Sequence, residues 1–153
     1  MIIEEHRELQ ASAASLVDIL EHLDRHYRDW HTDHISFVWL DEAHTGFGFS
    51  EKIGRWHIAM RMRIERRDDG LAVTCRPVSR WLRSVMSWMT FEAIPNGDSC
   101  VYLHRIKLRF GPFRPVLQRT FIAPLRQHMA DEASNLDRLD QGIRVAKLSQ
   151  SGT

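Results

Sequence analysis

His128 and Glu132 sit four residues apart in this 153-residue chain, a spacing that puts both side chains on one face of an α-helix. The same face carries Phe121, Leu125 and Leu139, so an imidazole and a carboxylate point at whatever that helix packs against. An ionised carboxylate on an apolar face costs several kcal/mol unless it is paired or bound to a metal. Either a Glu–His pair or a metal ion would answer that cost.

A second carboxylate repeats the pattern. In Phe47-Gly48-Phe49-Ser50-Glu51, strand alternation puts Phe47, Phe49 and Glu51 on one face. A third group lies in Trp30-His31-Thr32-Asp33-His34, where helical spacing hands over to a strand. Either histidine can supply a neutral imidazole nitrogen, with Asp33 or a backbone carbonyl orienting it. Two histidines and two carboxylates make a mixed nitrogen and oxygen set suited to Zn2+, with Fe2+ or Mn2+ behind it. Zinc in such a set polarises a carbonyl or lowers the pKa of water, which is hydrolytic chemistry. His104 alternates to the inner side of its strand and is a candidate general base or hydrogen-bond donor beside that metal. His57 alternates outward, and His6, His22, His26 and His44 form no constellation.

The elements that must position these groups follow from periodicity. Ser15 with Asp18 resembles a capping box, and Leu16, Ile19, Leu20, Leu23, Tyr27 and Trp30 keep helical spacing, as one amphipathic helix or two short ones. Strands are expected at about 34–41, 46–53, 56–67, 71–78, 86–95 and 99–110, with a weaker one at 2–9. They are separated by turn signals at Thr45-Gly46, Gly54, Asp68-Asp69-Gly70 and Pro95-Asn96-Gly97-Asp98. Arg61, Arg63 and Arg67 turned outward leave Trp56, Ile58, Met60, Met62 and Ile64 inward; Arg105, Lys107 and Arg109 do the same for Tyr102, His104, Ile106, Leu108 and Phe110. After Gly111 and Pro112 the period is helical again, with Pro115 at the start of the helix and Pro124 kinking it or marking its true beginning. The fold class is α+β, a curved antiparallel sheet of about seven strands around a long C-terminal helix, with helices after the first strand. One domain covers 1–145, and 146–153 reads as a polar tail.

Lys+Arg 21 against Asp+Glu 20 leaves a net charge of +1, so no polyanion is called for. Arg61, Arg63, Arg66, Arg67, Arg76, Arg80 and Arg83 are dispersed by alternation and read as a solvated sheet face, not a nucleic-acid surface. No stretch reaches the ~18 apolar residues of a membrane span, and the N-terminus turns acidic at Glu4-Glu5 before a signal sequence can form. Cys75 and Cys100 have neither disulfide-framework nor zinc spacing. A cytoplasmic protein is the expectation, and nothing specifies an oligomer. Phe47, Phe49, Trp56, Met60, Met62, Trp88 and Tyr102 are the expected lining of an apolar cavity for a hydrophobic small molecule.

The order of elements, together with Tyr27-Arg28-Asp29-Trp30-His31-Thr32-Asp33-His34, resembles the START-related helix-grip (SRPBCC) superfamily along nearly the whole chain. Within it, Trp-His-x-x-His, Glu51 and His128-x-x-x-Glu132 resemble the zinc-dependent hydrolases that cleave carbon–carbon bonds in diacetylphloroglucinol and phloretin. That resemblance implies zinc held by His34 or His31, Glu51, His128 and Glu132, with His34 favoured because it opens the strand. His104 and the remaining histidine, His31, would then assist proton transfer. Characterised hydrolases of this kind carry extra N-terminal sequence, so the resemblance transfers the metal residues and not the phenol-binding ones. The same superfamily holds non-catalytic carriers and sensors of lipids or polyketides, the alternative reading.

Overall fold

Seven strands pair into one antiparallel sheet in the order β1-β7-β6-β5-β4-β3-β2. The strands are β1 (Ile2–Leu9), β2 (His34–Trp39), β3 (Gly46–Ile53), β4 (Trp56–Arg67), β5 (Gly70–Pro77), β6 (Met86–Asn96) and β7 (Ser99–Leu108). Between them lie α1 (Ala13–Glu21), α2 (Leu23–Trp30) and α3 (Arg80–Val85). After β7 come α4 (Arg114–Leu117), a π-helical turn (Gln118–Ile122) and the 29-residue α5 (Ala123–Ser151). This computed structural model describes residues 1–67, 70–111 and 114–151. The expected turn at Asp68-Asp69, Pro112 and the last two residues lie outside the described residues.

The alternation along β4 and β7 orients both strands as expected: Ile58, Met60 and Met62 are buried with Arg61 and Arg63 exposed, and Tyr102, His104, Ile106 and Leu108 are buried. The concave face is closed by α1, α2 and α5, which bring Leu16, Ile19, Leu23, Leu125, Met129 and Leu136 against it. Each such side chain contributes about 1.5–3 kcal/mol of burial, which is what holds a long helix across an open sheet.

Three local features differ from the expectations. The α1 cap is Ser12, whose side chain accepts from Ser15 N at 3.1 Å, three residues ahead of the expected one. Trp88 is half-buried on the outer side, paired with Lys107, because the ladder shifts between Met86 and Trp88; one extra residue reverses the parity of the side chains beyond it. Residues 146–151, expected as a tail, continue α5.

Pro124 shapes the start of α5. It has no N–H to donate to the Thr120 carbonyl one turn back, and that oxygen instead accepts Trp56 Nε1–H at 2.8 Å. Ala123 N–H reaches Gln118 O in the wider π register. Gly54, at φ +58°, brings the β3–β4 turn so close that a Cβ there would lie 3.1 Å from the Pro124 ring. The proline therefore fixes where α5 begins, one turn ahead of His128.

Candidate metal centre

α2, β3 and α5 converge on one point of the concave interior. His31 is the C-cap of α2, its backbone N–H bonded to Tyr27 O at 2.8 Å. Glu51 comes from the inner face of β3, and His128 and Glu132 from α5. One ligand-capable atom from each of His31, Glu51, His128 and Glu132 lies within 4.8 Å of the others. His31 Nδ1 is 2.8 Å from Glu51 Oε1 and 3.1 Å from Glu132 Oε1. His128 Nε2 is 3.1 Å from Glu51 Oε2 and 3.3 Å from Glu132 Oε1.

These separations fit a small metal ion. Ligand atoms at about 2.0–2.2 Å around a tetrahedral zinc ion lie about 3.3–3.6 Å apart, close to the four nitrogen–oxygen separations of 2.8–3.3 Å. The orientation of His31 fits as well: its Nδ1 is buried and has no hydrogen-bond partner despite the two carboxylate oxygens beside it. Ligation of a metal through its lone pair would give that nitrogen a partner.

The carboxylates are held from behind. Tyr27 O–H donates to Glu51, and the Tyr27 ring stacks on His31 at 4.5 Å between centroids. On Glu132, Oε2 lies 3.0 Å from His104 Nδ1 and accepts from Tyr102 O–H at 3.4 Å. Asn135, one turn beyond Glu132, donates to Trp30 O at 2.7 Å and so ties α5 to the residue before His31.

Charge balances within the buried cluster. Burial pushes the Glu51 carboxyl up, but His31 and His128 outweigh it and lower it to about 2. Burial likewise opposes ionisation of Glu132, and His128, His31 and His104 hold it well below the ordinary range. Burial lowers His128, and Glu132 with Glu51 more than reverses this, raising it to about 11. Without a metal, the site is an imidazolium–carboxylate network; with one, His128 must give up its proton to bind.

Of the two histidines left open in the sequence, His31 joins the ring and His34 does not. His34 is in register with Glu51 across β2 and β3, but its ring lies edge-on to Tyr27 at 5.4 Å. It borders a surface pocket of about 420 Å3 with Tyr27, Phe37, Asp24, Arg25 and Arg28. Tyr27 thus belongs to both the pocket and the cluster. Its signal in the sequence was its position one helical turn before His31. His104 is buried against Glu132, where it supports a carboxylate.

The expected cavity lining is core. Phe47, Phe49, Met60 and Tyr102 are buried and packed, and none of them lines any of the five cavities described. Met62 is buried as well and also borders a depression lined by Arg61, Arg63 and Arg76. Trp56 packs on Trp81 at 5.1 Å and Phe121 at 6.1 Å, closing the Pro124 end of the molecule.

The architecture has solved counterparts over nearly its full length. A START superfamily protein from Mycobacterium smegmatis superposes with a TM-score of 0.64 at 12% identity, covering 93% of this chain and 98% of the other. The Zhui aromatase/cyclase from Streptomyces sp. R1128 does so at 0.62 and 12%, covering 92% and 93%. The fold is the helix-grip fold of START proteins. A STAR-related lipid transfer protein from Xanthomonas axonopodis shares the helix-grip architecture at a TM-score of 0.60 and 17% identity, covering 88% and 85%. No protein-family model and no curated protein matches the chain. Among the described residues, no helix of this helix-grip chain is long and apolar enough to cross a membrane.

Proposed function

We propose that the protein is a zinc-dependent hydrolase of a hydrophobic, carbonyl-bearing compound of the acylphenol type, with His31, Glu51, His128 and Glu132 as the metal ligands. The observation that supports this is the closed ring of two imidazole nitrogens and two carboxylates at 2.8–3.3 Å, buried under α5. A bound zinc ion would supply Lewis acidity towards a substrate carbonyl oxygen.

The remaining work falls to the chain's own residues. Tyr102 and His104 hold Glu132 in place, and Asn135 holds the segment that presents His31. Substrate approach in this reading is through the pocket bordered by Tyr27, His34 and Phe37. There Phe37 offers aromatic surface and the buried Tyr27 forms the inner wall, and His34 is the imidazole that would exchange a proton.

The test is hydrolysis of a panel of acylphenols by zinc-loaded protein, followed by chromatography. Turnover that is lost on chelation and in Glu132→Ala is the expected result. Turnover that persists in Glu132→Ala after complete metal removal would overturn the reading.

The second reading, a carrier or sensor of a hydrophobic compound, is favoured by the lipid transfer protein that shares the fold. It requires room among Phe47, Phe49, Met60 and Tyr102, which are packed together. Tight binding of a fatty or polyketide-like ligand by metal-free protein, without turnover, is its signature.

A further inference from the structure

The ladder between β5 and β6 starts at Leu71–Ala93 and ends at Cys75–Met89, although β5 continues to Pro77 and β6 begins at Met86. The two strands part there, α3 bridges the split, and a cavity of about 760 Å3 opens at the gap. It is lined by four arginines from four different segments: Arg61 of β4, Arg76 of β5, Arg83 of α3 and Arg109 just after β7.

Arg61 and Arg76 are direct cross-strand partners, a pairing that is destabilising between like charges. None of the lining residues is acidic, and among the described residues none of the four arginines forms an ion pair. Arg83 donates only to the Val78 carbonyl, at 3.2 Å. Glu65 lines the adjoining depression, which it shares with Arg61, Arg63 and Arg76, and forms no ion pair with them among the described residues. The chain as a whole carries only +1, so this is a local concentration of charge.

A second observation comes from Ser87. It sits where the β6–β7 ladder shifts register, and its hydroxyl is buried without a hydrogen-bond partner. Bulges of this kind re-aim side chains and recur beside binding sites. The cavity also has an apolar side, formed by Pro77, Val78 and Met86.

We propose that this cavity binds the phosphate group of a monoester whose substituent is apolar. Guanidinium forks match phosphate oxygens in geometry and charge, Ser87 adds a hydroxyl, and Pro77, Val78 and Met86 receive the start of the substituent. The site is on the convex side of the sheet, away from the His31–Glu132 cluster, and stands or falls independently of the hydrolase reading.

The test is calorimetric titration of the full chain with inorganic phosphate and octyl phosphate, beside sedimentation with phosphatidylcholine vesicles with and without phosphatidic acid. Octyl phosphate is expected to bind more tightly than inorganic phosphate. The Arg76→Gln/Arg109→Gln variant is expected to weaken binding by about tenfold or more, with thermal stability equal to or above that of the wild type. The Arg119→Gln/Arg126→Gln variant, at arginines that do not line the cavity, is expected to bind as the wild type does. Octyl phosphate binding without vesicle binding identifies a soluble ester, and capture by phosphatidic acid vesicles that the Arg76/Arg109 variant loses identifies a lipid headgroup; both support the site. No saturable binding of either probe at low salt, or equal weakening by both arginine variants, overturns it.

Discussion

His104 Nδ1 lies 3.0 Å from Oε2 of Glu132, while the other oxygen of that carboxylate faces His31 at 3.1 Å and His128 at 3.3 Å. One carboxylate therefore joins the ring with one oxygen and is anchored by a supporting imidazole through the other. Groups in that supporting position orient ligands, and their loss costs about 10–100-fold in metal affinity. His104→Ala is predicted to weaken zinc binding by that factor while the fold persists, read by competition with a chromogenic chelator and by circular dichroism. Unchanged affinity would remove His104 from the site.

The geometry separates the two neighbouring histidines. Zinc-reconstituted wild type is predicted to hold about one zinc ion per chain by elemental analysis, His31→Ala and Glu51→Ala to lose it, and His34→Ala to keep it. Retention by His31→Ala together with loss in His34→Ala would contradict the ring described above.

Acidity should affect the metal-free and metal-loaded protein in different ways. Glu51, lowered from 4.5 to about 2, stabilises the fold above its unfolded value and loses that contribution as pH falls towards 2. His128, raised from 6.5 to about 11, stabilises it below 6.5 and loses that contribution as pH rises towards 11. Both contributions are present between about pH 4.5 and 6.5, where chelated protein is predicted to show its highest Tm. Zinc needs a neutral His128, so the rise in Tm on adding zinc is predicted to grow with pH. Differential scanning fluorimetry with and without chelator reads both trends; a Tm of chelated protein that climbs steadily above neutral pH would count against the paired network.

The Gly54–Pro124 contact sets the start of α5 and can be tested by itself. Gly54→Ala places a side chain at positive φ and 3.1 Å from the proline ring, a predicted cost of about 1–3 kcal/mol. Trp56→Phe removes the bond to the Thr120 carbonyl, a predicted cost of about 1 kcal/mol. Urea unfolding measures both, and unchanged midpoints would show that the turn does not brace the helix.

Much of the fold was legible because its signals are local. Outward Arg61 and Arg63 placed Met60 and Met62 inside without any knowledge of the neighbouring strand, and i, i+4 spacing put His128 and Glu132 on one face. The misreadings fall where a local rule is interrupted. Alternation alone puts Trp88 in the interior, because nothing in Met86-Ser87-Trp88 announces the bulge that reverses its face. The arginines of β4 and β5 read as dispersed because alternation says which side a residue takes, whereas register decides that Arg61 meets Arg76. Tyr27 and Asn135 passed as ordinary helix residues, since a hydroxyl or amide gains its role only from the partner that reaches it.

Local pattern sufficed for the α+β class, the strand and helix order and the faces that carry three of the four ring residues, because periods of two and 3.6 residues are properties of the backbone that any window of the chain displays. Which imidazole completes the ring was a tertiary decision. His31 and His34 are chemically equivalent in the chain, and only the end of α2, its tie to Asn135 and the stacking of Tyr27 turn His31 towards Glu51. The meeting of residues 31, 51, 128 and 132 depends on how far α5 is rotated over the sheet and where Pro124 starts it. That rotation is set by packing between residues far apart in the chain, a quantity no local pattern carries.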